Sequence, residues 1–272
     1  MKFNLQPIKL FLLLVLSCTS LLISQTSTVG RGLGDRPNSK MIVAQTPRFE
    51  QPPVPPGRTP GGRVRGGATR GNVCPLTKPD QPDLTALVPF SEKDGVTNVW
   101  AQTTLERPSW FFYVPYTKDV VDAVEFVVQE NSDSKDSKEI YHGKSIVLPD
   151  KPGVIRISLP SDAPALALNK EYRWFFSINC DKEKNTPWTY VEGVIQRVDL
   201  NQSIAKELET AELLKRYTIY VQNGIWYEAL ATLAQLRQKN PKDTALQAQW
   251  QNLVTSINLA DVAKEPLVLD KL

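Results

Sequence analysis

Few residues of this chain carry reactive side chains: Cys18, Cys74 and Cys180, the single histidine His142, and carboxylates scattered along its length. One histidine rules out any site built on two imidazole ligands within the chain. A nucleophilic or metal-binding thiol needs a basic partner, and His142 alone is a thin candidate for that role. It stands between Tyr141 and Gly143 in a strand-like run and reads as a plain surface residue. Glycan hydrolysis needs two carboxyl groups flanking one cleft. Glu106, Glu125, Glu171 and Glu192 are candidates, and sequence alone brings no two of them together. The sequence holds no nucleophile elbow, phosphate loop, dinucleotide fingerprint or zinc motif. Asp133 and Asp136 lack the glycine and the twelfth-position glutamate of a calcium loop. These residues favour a non-catalytic binding or scaffold module without metal or cofactor. A glycan- or peptidoglycan-acting hydrolase is the alternative.

The elements that would position such residues begin behind an export signal. Lys2 and Lys9 precede an apolar run over residues 10–16 that resumes at Leu21, Leu22 and Ile23. Fourteen residues, 10–23, are short for a transmembrane helix of about 20. Residues 1–25 therefore read as a signal peptide or a signal anchor, and the protein is expected in the periplasm or cell envelope. Leu16 stands where a lipobox usually has a small residue, so Cys18 is a poor lipidation site. In an oxidising compartment Cys74 and Cys180, the remaining pair, are expected to form a disulfide.

Residues 26–71 show no hydrophobic period. Pro47, Pro52, Pro53, Pro55, Pro56 and Pro60 lead into a Gly- and Arg-rich tract over residues 61–71. Such composition predicts a disordered tether, dispensable for folding over residues 45–71. Arg58, Arg63, Arg65 and Arg70 would make weak, salt-sensitive contacts with anionic lipid or acidic polysaccharide. The first 75 residues hold ten basic and two acidic side chains, out of 32 and 29 in the whole chain. The rest is mildly acidic and gives no electrostatic reason to expect a nucleic-acid partner. Arg-Gly-Gly tracts do bind RNA inside cells, but in an exported chain the tether reading is preferred.

Order is expected from Cys74, in a β-sandwich over residues 72–200. Short β-prone runs recur at residues 84–89, 97–105, 109–115, 123–130, 140–148, 154–159, 172–180 and 188–198, divided by turn signals. In the seventh run Tyr172, Trp174, Phe176, Ile178 and Cys180 take one face and Arg173, Phe175, Ser177 and Asn179 the other. Leu166, Asn169 and Tyr172 resemble the tyrosine corner of immunoglobulin-like and fibronectin-like antiparallel sandwiches. After Leu200 the period changes to 3.6, predicting helices over residues 205–221, 225–239 and 244–257 and a loose tail over 259–272. Tyr220, Gly224, Trp226, Ala229, Leu230, Leu233, Leu236 and Pro241 fall at tetratricopeptide-repeat spacing. One such unit makes residues 201–258 a helical appendage and not a peptide-binding array. Trp226 is expected between the helices. Tyr227, about 100° further round, is the candidate for exposure, and the two are the candidate binding anchors toward an envelope protein or polysaccharide.

Four stretches carry a resemblance that spans roughly residues 72–258. They are residues 107–116 (RPSWFFYVPY), 172–181 (YRWFFSINCD), 191–193 (VEG) and 223–230 (NGIWYEAL). In that order they resemble the cyanobacterial domain-of-unknown-function family numbered 928. The resemblance implies an exported cyanobacterial protein, and it brings no activity or catalytic residues with it.

Overall fold

The computed structural model describes residues 48–54, 61–66, 74, 76, 78, 80–132, 137–144, 146–183 and 187–268. Residues 1–25, expected to form the export signal and including Cys18, lie outside them, as do Arg58, Arg70, Asp133 and Asp136. Nine strands and four helices make a β-plus-α fold. The strands are β1 (Thr85–Ala86), β2 (Phe90–Lys93), β3 (Val96–Thr103), β4 (Ser109–Val114), β5 (Ala123–Glu130), β6 (Glu139–Gly143), β7 (Gly153–Ser158), β8 (Glu171–Asn179) and β9 (Thr189–Arg197). The helices are α1 (Gln202–Thr210), α2 (Leu213–Gln222), α3 (Trp226–Lys239) and α4 (Thr244–Thr255).

The strands form a three-stranded sheet, β1-β4-β7, and a six-stranded sheet, β2-β3-β9-β8-β5-β6. Period-2 alternation explains how the two meet. Trp110 and Phe112 of β4 turn toward Phe126 of β5 and toward Trp174 and Phe176 of β8. Phe112 and Phe176 stack with centroids 4.3 Å apart, and the other contacts in this group are edge-to-face. All five rings are fully buried. The other face of β4 is buried too, because Phe111 meets Trp250 of α4 at 6.3 Å. The small sheet is thus covered on both sides, which is why β4 reads as a continuous aromatic run.

Four expectations need correction. The strands are not all antiparallel: β3 runs parallel to β9, with Trp100 opposite Val194. The helix expected over residues 205–221 is two, since Ala211 and Glu212 are extended and restart the backbone ladder at Arg216 N–H to Glu212 O. No Gly or Pro marks that break, and the freed Ala211 O accepts from Arg216 Nε at 2.8 Å. The tail is not loose over its described residues, 259–268. Leu259, Val262 and Ala263 are buried, and Val154 N–H donates to Pro266 O while Val268 N–H donates to Val154 O. Gly153 permits this approach, because a Cβ there would lie 2.4 Å from Val268 Cγ2.

The fourth correction concerns the tether. Residues 61–66 run across both sheets on backbone hydrogen bonds: Arg63 exchanges both with Glu192, Gly66 N–H donates to Leu84 O, and Ala86 N–H donates to Val64 O. Val64 and Phe49 are buried. Proline and glycine content hid this strap, whose energy comes from pairing with strands already formed and not from its own composition. Sheets, helices and strap belong to one compact unit, Gln45–Leu272.

Candidate functional site

Cys74 and Cys180 form a disulfide with Cα atoms 5.3 Å apart, joining the loop before β1 to the end of β8. The expected binding anchors lie elsewhere than at the surface. Trp226, the first residue of α3, is fully buried and donates its Nε1–H to Leu87 O at 2.8 Å. Tyr227 is 2% exposed, with its ring 5.8 Å from that of Trp110. Burial pushes its phenol pKa up, and the Trp174 and Trp110 indoles temper the rise. The expectation of an exposed Tyr227 fails because the first turn of α3 packs between strands of both sheets, β3 and β4, and its sister helices α2 and α4. A rotation of 100° moves a side chain from one buried surface to another.

The two described arginines of the tract, Arg63 and Arg65, are also engaged. Arg65 makes a bidentate pair with Asp261, both distances 2.8 Å, which holds the Asp261 carboxyl below its ordinary pKa against the opposing effect of burial. Arg63 lies over the Tyr190 ring, 4.7 Å from its centroid. Neither side chain stands ready for an anionic surface as the tether reading required.

The four candidate carboxylates are dispersed. Glu106, in the turn after β3, meets Arg197 at 3.3 Å; Glu171 accepts from Asn131 at 2.9 Å. Glu125 of β5 contacts His142 Nε2 at 3.1 Å, and Glu192 of β9 contacts Arg173 at 3.3 Å. His142 also has Glu139 at 3.5 Å from Nδ1, so it sits between two carboxylates and is not a plain surface residue. Among the described residues no group of three or more His, Cys, Asp or Glu is placed to hold a metal ion.

What the register does assemble is an open face. Residues paired across an antiparallel ladder share a face. Val127, Phe175 and Glu192 form one row across β5, β8 and β9; Glu125, Ser177 and Tyr190 form the next. All six are partly exposed, and Phe175 and Val127 stand apart from the hydrophobic core. His142 extends the first row onto β6 opposite Val127. The result is a broad sheet surface with an aromatic centre, an apolar neighbour, two carboxylates and two rings of different polarity. The alternation of β8 already placed Phe175 and Ser177 together. Tyr190, Glu192, Glu125 and Val127 join them only once the strand order is known.

A second feature escaped sequence reasoning. Glu228, in the first turn of α3, is 3% exposed. Its Oε1 accepts from Thr103 Oγ1 and Thr104 Oγ1 at 2.8 Å each, from Thr104 N–H, and from Leu105 N–H at 3.0 Å. Its Oε2 is buried without a hydrogen-bond partner. Burial raises its pKa despite those donors. The carboxyl latches α3 to the end of β3 and is beyond the reach of any substrate. From sequence it is one more glutamate near a helix start.

Comparison with known proteins fits this picture of a shared domain. The model of the family described as Domain of Unknown Function (DUF928) matches residues 65–267. The chain belongs to this family. Nearly all the elements above lie inside the match; residues 48–54 and most of the strap precede it. None of the curated proteins compared with the chain matches it. Among solved structures it is similar to the PmoD soluble domain from Methylocystis sp. ATCC 49242 (Rockwell), at 10% identity and a TM-score of 0.28, over 46% of this chain and 99% of that one.

Proposed function

We propose that this DUF928 member is a non-catalytic binding module of the cell envelope, and that its open sheet face takes a polysaccharide. The observation that carries the reading is the row Val127–Phe175–Glu192 beside Glu125–Ser177–Tyr190. A pyranose ring presents a C–H face that packs on an aromatic ring, and hydroxyls at its rim that seek carboxylate and hydroxyl acceptors. Phe175 offers the first; Glu125, Glu192 and Ser177 offer the second. A long, repeating ligand suits a broad face better than a small molecule does, because it crosses several strands at once.

Binding is favoured over hydrolysis for a geometric reason. Glu125 and Glu192 share the face but lie two strands apart and two residues out of line, a backbone separation of about 12 Å. Glu192 already pairs with the Arg173 guanidinium and Glu125 already contacts the His142 ring, and the surface between them is open where hydrolysis needs a cleft. Export, from the reading of residues 1–25, accounts for the disulfide, and the disulfide supports an oxidising compartment. No helix among the described residues is long and apolar enough to cross a membrane. The fold is best read as immunoglobulin-like. Tyr172 Oη accepts from Ala167 N–H at 2.8 Å, the bond of a tyrosine corner, at the entry to the disulfide-bearing strand. The α2–α3 hairpin, turning at Gly224, supports a single tetratricopeptide-like unit.

The test is co-sedimentation of the protein with isolated peptidoglycan sacculi and with insoluble envelope polysaccharide. Saturable binding that falls at least ~10-fold in Phe175→Ala, with an unchanged melting temperature, supports the reading. Release of new reducing ends that stops in Glu125→Gln or Glu192→Gln would establish hydrolysis instead. Absence of binding to any of these polymers overturns the proposal.

A further inference from the structure

Residues 48–54 differ in kind from the strap that follows them. Among the described residues, 61–66 are held by backbone pairing, whereas 48–54 meet the rest of the fold through the Phe49, Gln51 and Pro52 side chains, with the Glu50 carbonyl beside Gly224. Phe49 sets its ring edge-on to Trp226 at 4.7 Å and is 5% exposed. Gln51 donates its Nε2–H to Trp100 O at 3.1 Å. Pro52 fills the space above Gly224, where a Cβ would lie 2.5 Å from its Cγ. Gly224 has φ +70, as the tight turn between α2 and α3 requires, so this residue serves both the turn and the seat.

This arrangement has the physics of proline-rich recognition: an extended segment docked by a few side chains in an aromatic-lined notch, without a strand ladder. The notch residues Trp100, Gly224 and Trp226 lie inside the family match, and the occupant lies ahead of it. We propose that the Gly224–Trp226 notch is a receptor for an extended Phe-x-x-Pro segment, filled in cis by residues 49–52 and open in trans to the same segment of a second copy of this chain. Three side-chain contacts are few enough to exchange. The cis segment holds the advantage at low concentration because its tether gives it an effective concentration in the millimolar range. Release of one segment and capture of another chain's would link copies head to tail or in reciprocal pairs.

Two full-length variants separate seat from occupant. Phe49→Ala removes the occupant's ring and leaves the seat open; Gly224→Ala crowds the seat and strains the α2–α3 turn but leaves the segment intact, and its cooperative unfolding is checked first. Each alone should be monomeric by native mass spectrometry, and a mixture at tens of micromolar should form the heterodimer. A synthetic peptide of residues 46–56 should shift the tryptophan fluorescence of Phe49→Ala saturably, and bind wild type at least ~10-fold more weakly, because the cis segment competes. A mixture that stays monomeric together with a peptide that fails to bind Phe49→Ala overturns the proposal. So does loss of cooperative folding in Phe49→Ala, since a segment the fold cannot do without is not exchangeable.

Discussion

At the scale of single residues, Glu228 is the side chain whose chemistry and placement conflict most. Four donors converge on Oε1 and favour the carboxylate, while burial with an orphaned Oε2 favours the acid, and burial prevails. A carboxyl whose folded pKa lies above its unfolded value binds its proton more tightly in the native state. Its stabilising contribution is full below the unfolded value, near 4.5, and is lost as pH rises through the higher folded value. Glu228→Gln keeps an acceptor for the Thr103–Leu105 donors and cannot ionise. The stability difference, wild type minus Glu228→Gln, should therefore shift toward the glutamine as pH rises from 4.5 to 7.5, measured by urea midpoints. A shift the other way would show that the donors outweigh burial. Glu228→Ala strands the donors and should cost about 2–4 kcal/mol at pH 4.5 and less at pH 7.5, where the wild type has lost part of this contribution. Tyr227→Ala should lower stability by about 3–5 kcal/mol, as a buried aromatic does. The sequence pattern was informative for Trp226 and misleading one residue on, because helical periodicity distinguishes faces only where one face meets water.

At the scale of elements, local pattern and non-local pairing divide what could be read. β5, β7 and β8 alternate clearly, and their limits fall within a residue of expectation. β2, with three of its four residues exposed, has no such signal, and the parallel β3–β9 pairing joins strands more than 90 residues apart. Burial on both faces erases alternation in β4, whose place in the small sheet follows only from its partners. The open face suffered the same loss: each strand showed its outward residues, but their neighbours waited on strand order. The two parts of the N-terminal segment make a sharp test. Amides of Arg63 and Gly66 sit in backbone hydrogen bonds to the sheets. Hydrogen exchange should find them protected at least ~100-fold more than those of Glu50 and Gln51, which the fold holds by side chains. Equal protection across residues 50–66 would mean that the segment moves as one unit, against the exchange proposed for its first half.

At the scale of the whole molecule, closure depends on links between distant parts of the chain. Arg65 pairs with Asp261 near the other end; Val154 pairs with Leu267; Trp226 caps Leu87. The covalent member of this set is the disulfide, which spans 106 residues and holds the chain ahead of β1 to the last turn of β8. A loop of that length has much conformational entropy to lose in the unfolded state. The loop-entropy model sets an upper value of about 4–5 kcal/mol, and native disulfides of compact exported domains commonly contribute 2–5 kcal/mol. Cys74 is buried at the edge of the core but belongs to no strand, so opening the bond need not rebuild the ring contacts of Trp110, Phe112, Trp174 and Phe176. The double variant Cys74→Ala/Cys180→Ala should therefore keep its circular-dichroism spectrum and its Trp-rich fluorescence at 25 °C. Its denaturation midpoint should fall by the equivalent of about 2–4 kcal/mol. Reduction of wild type under the same conditions should give the same midpoint, since both remove one cross-link and leave the packing. A loss below ~1 kcal/mol would show that the non-covalent links already confine residue 74. A collapse of the native spectrum would show that the cross-link holds the sheets themselves, and that β8 is positioned by its cysteine and not by the packing of Trp174 and Phe176.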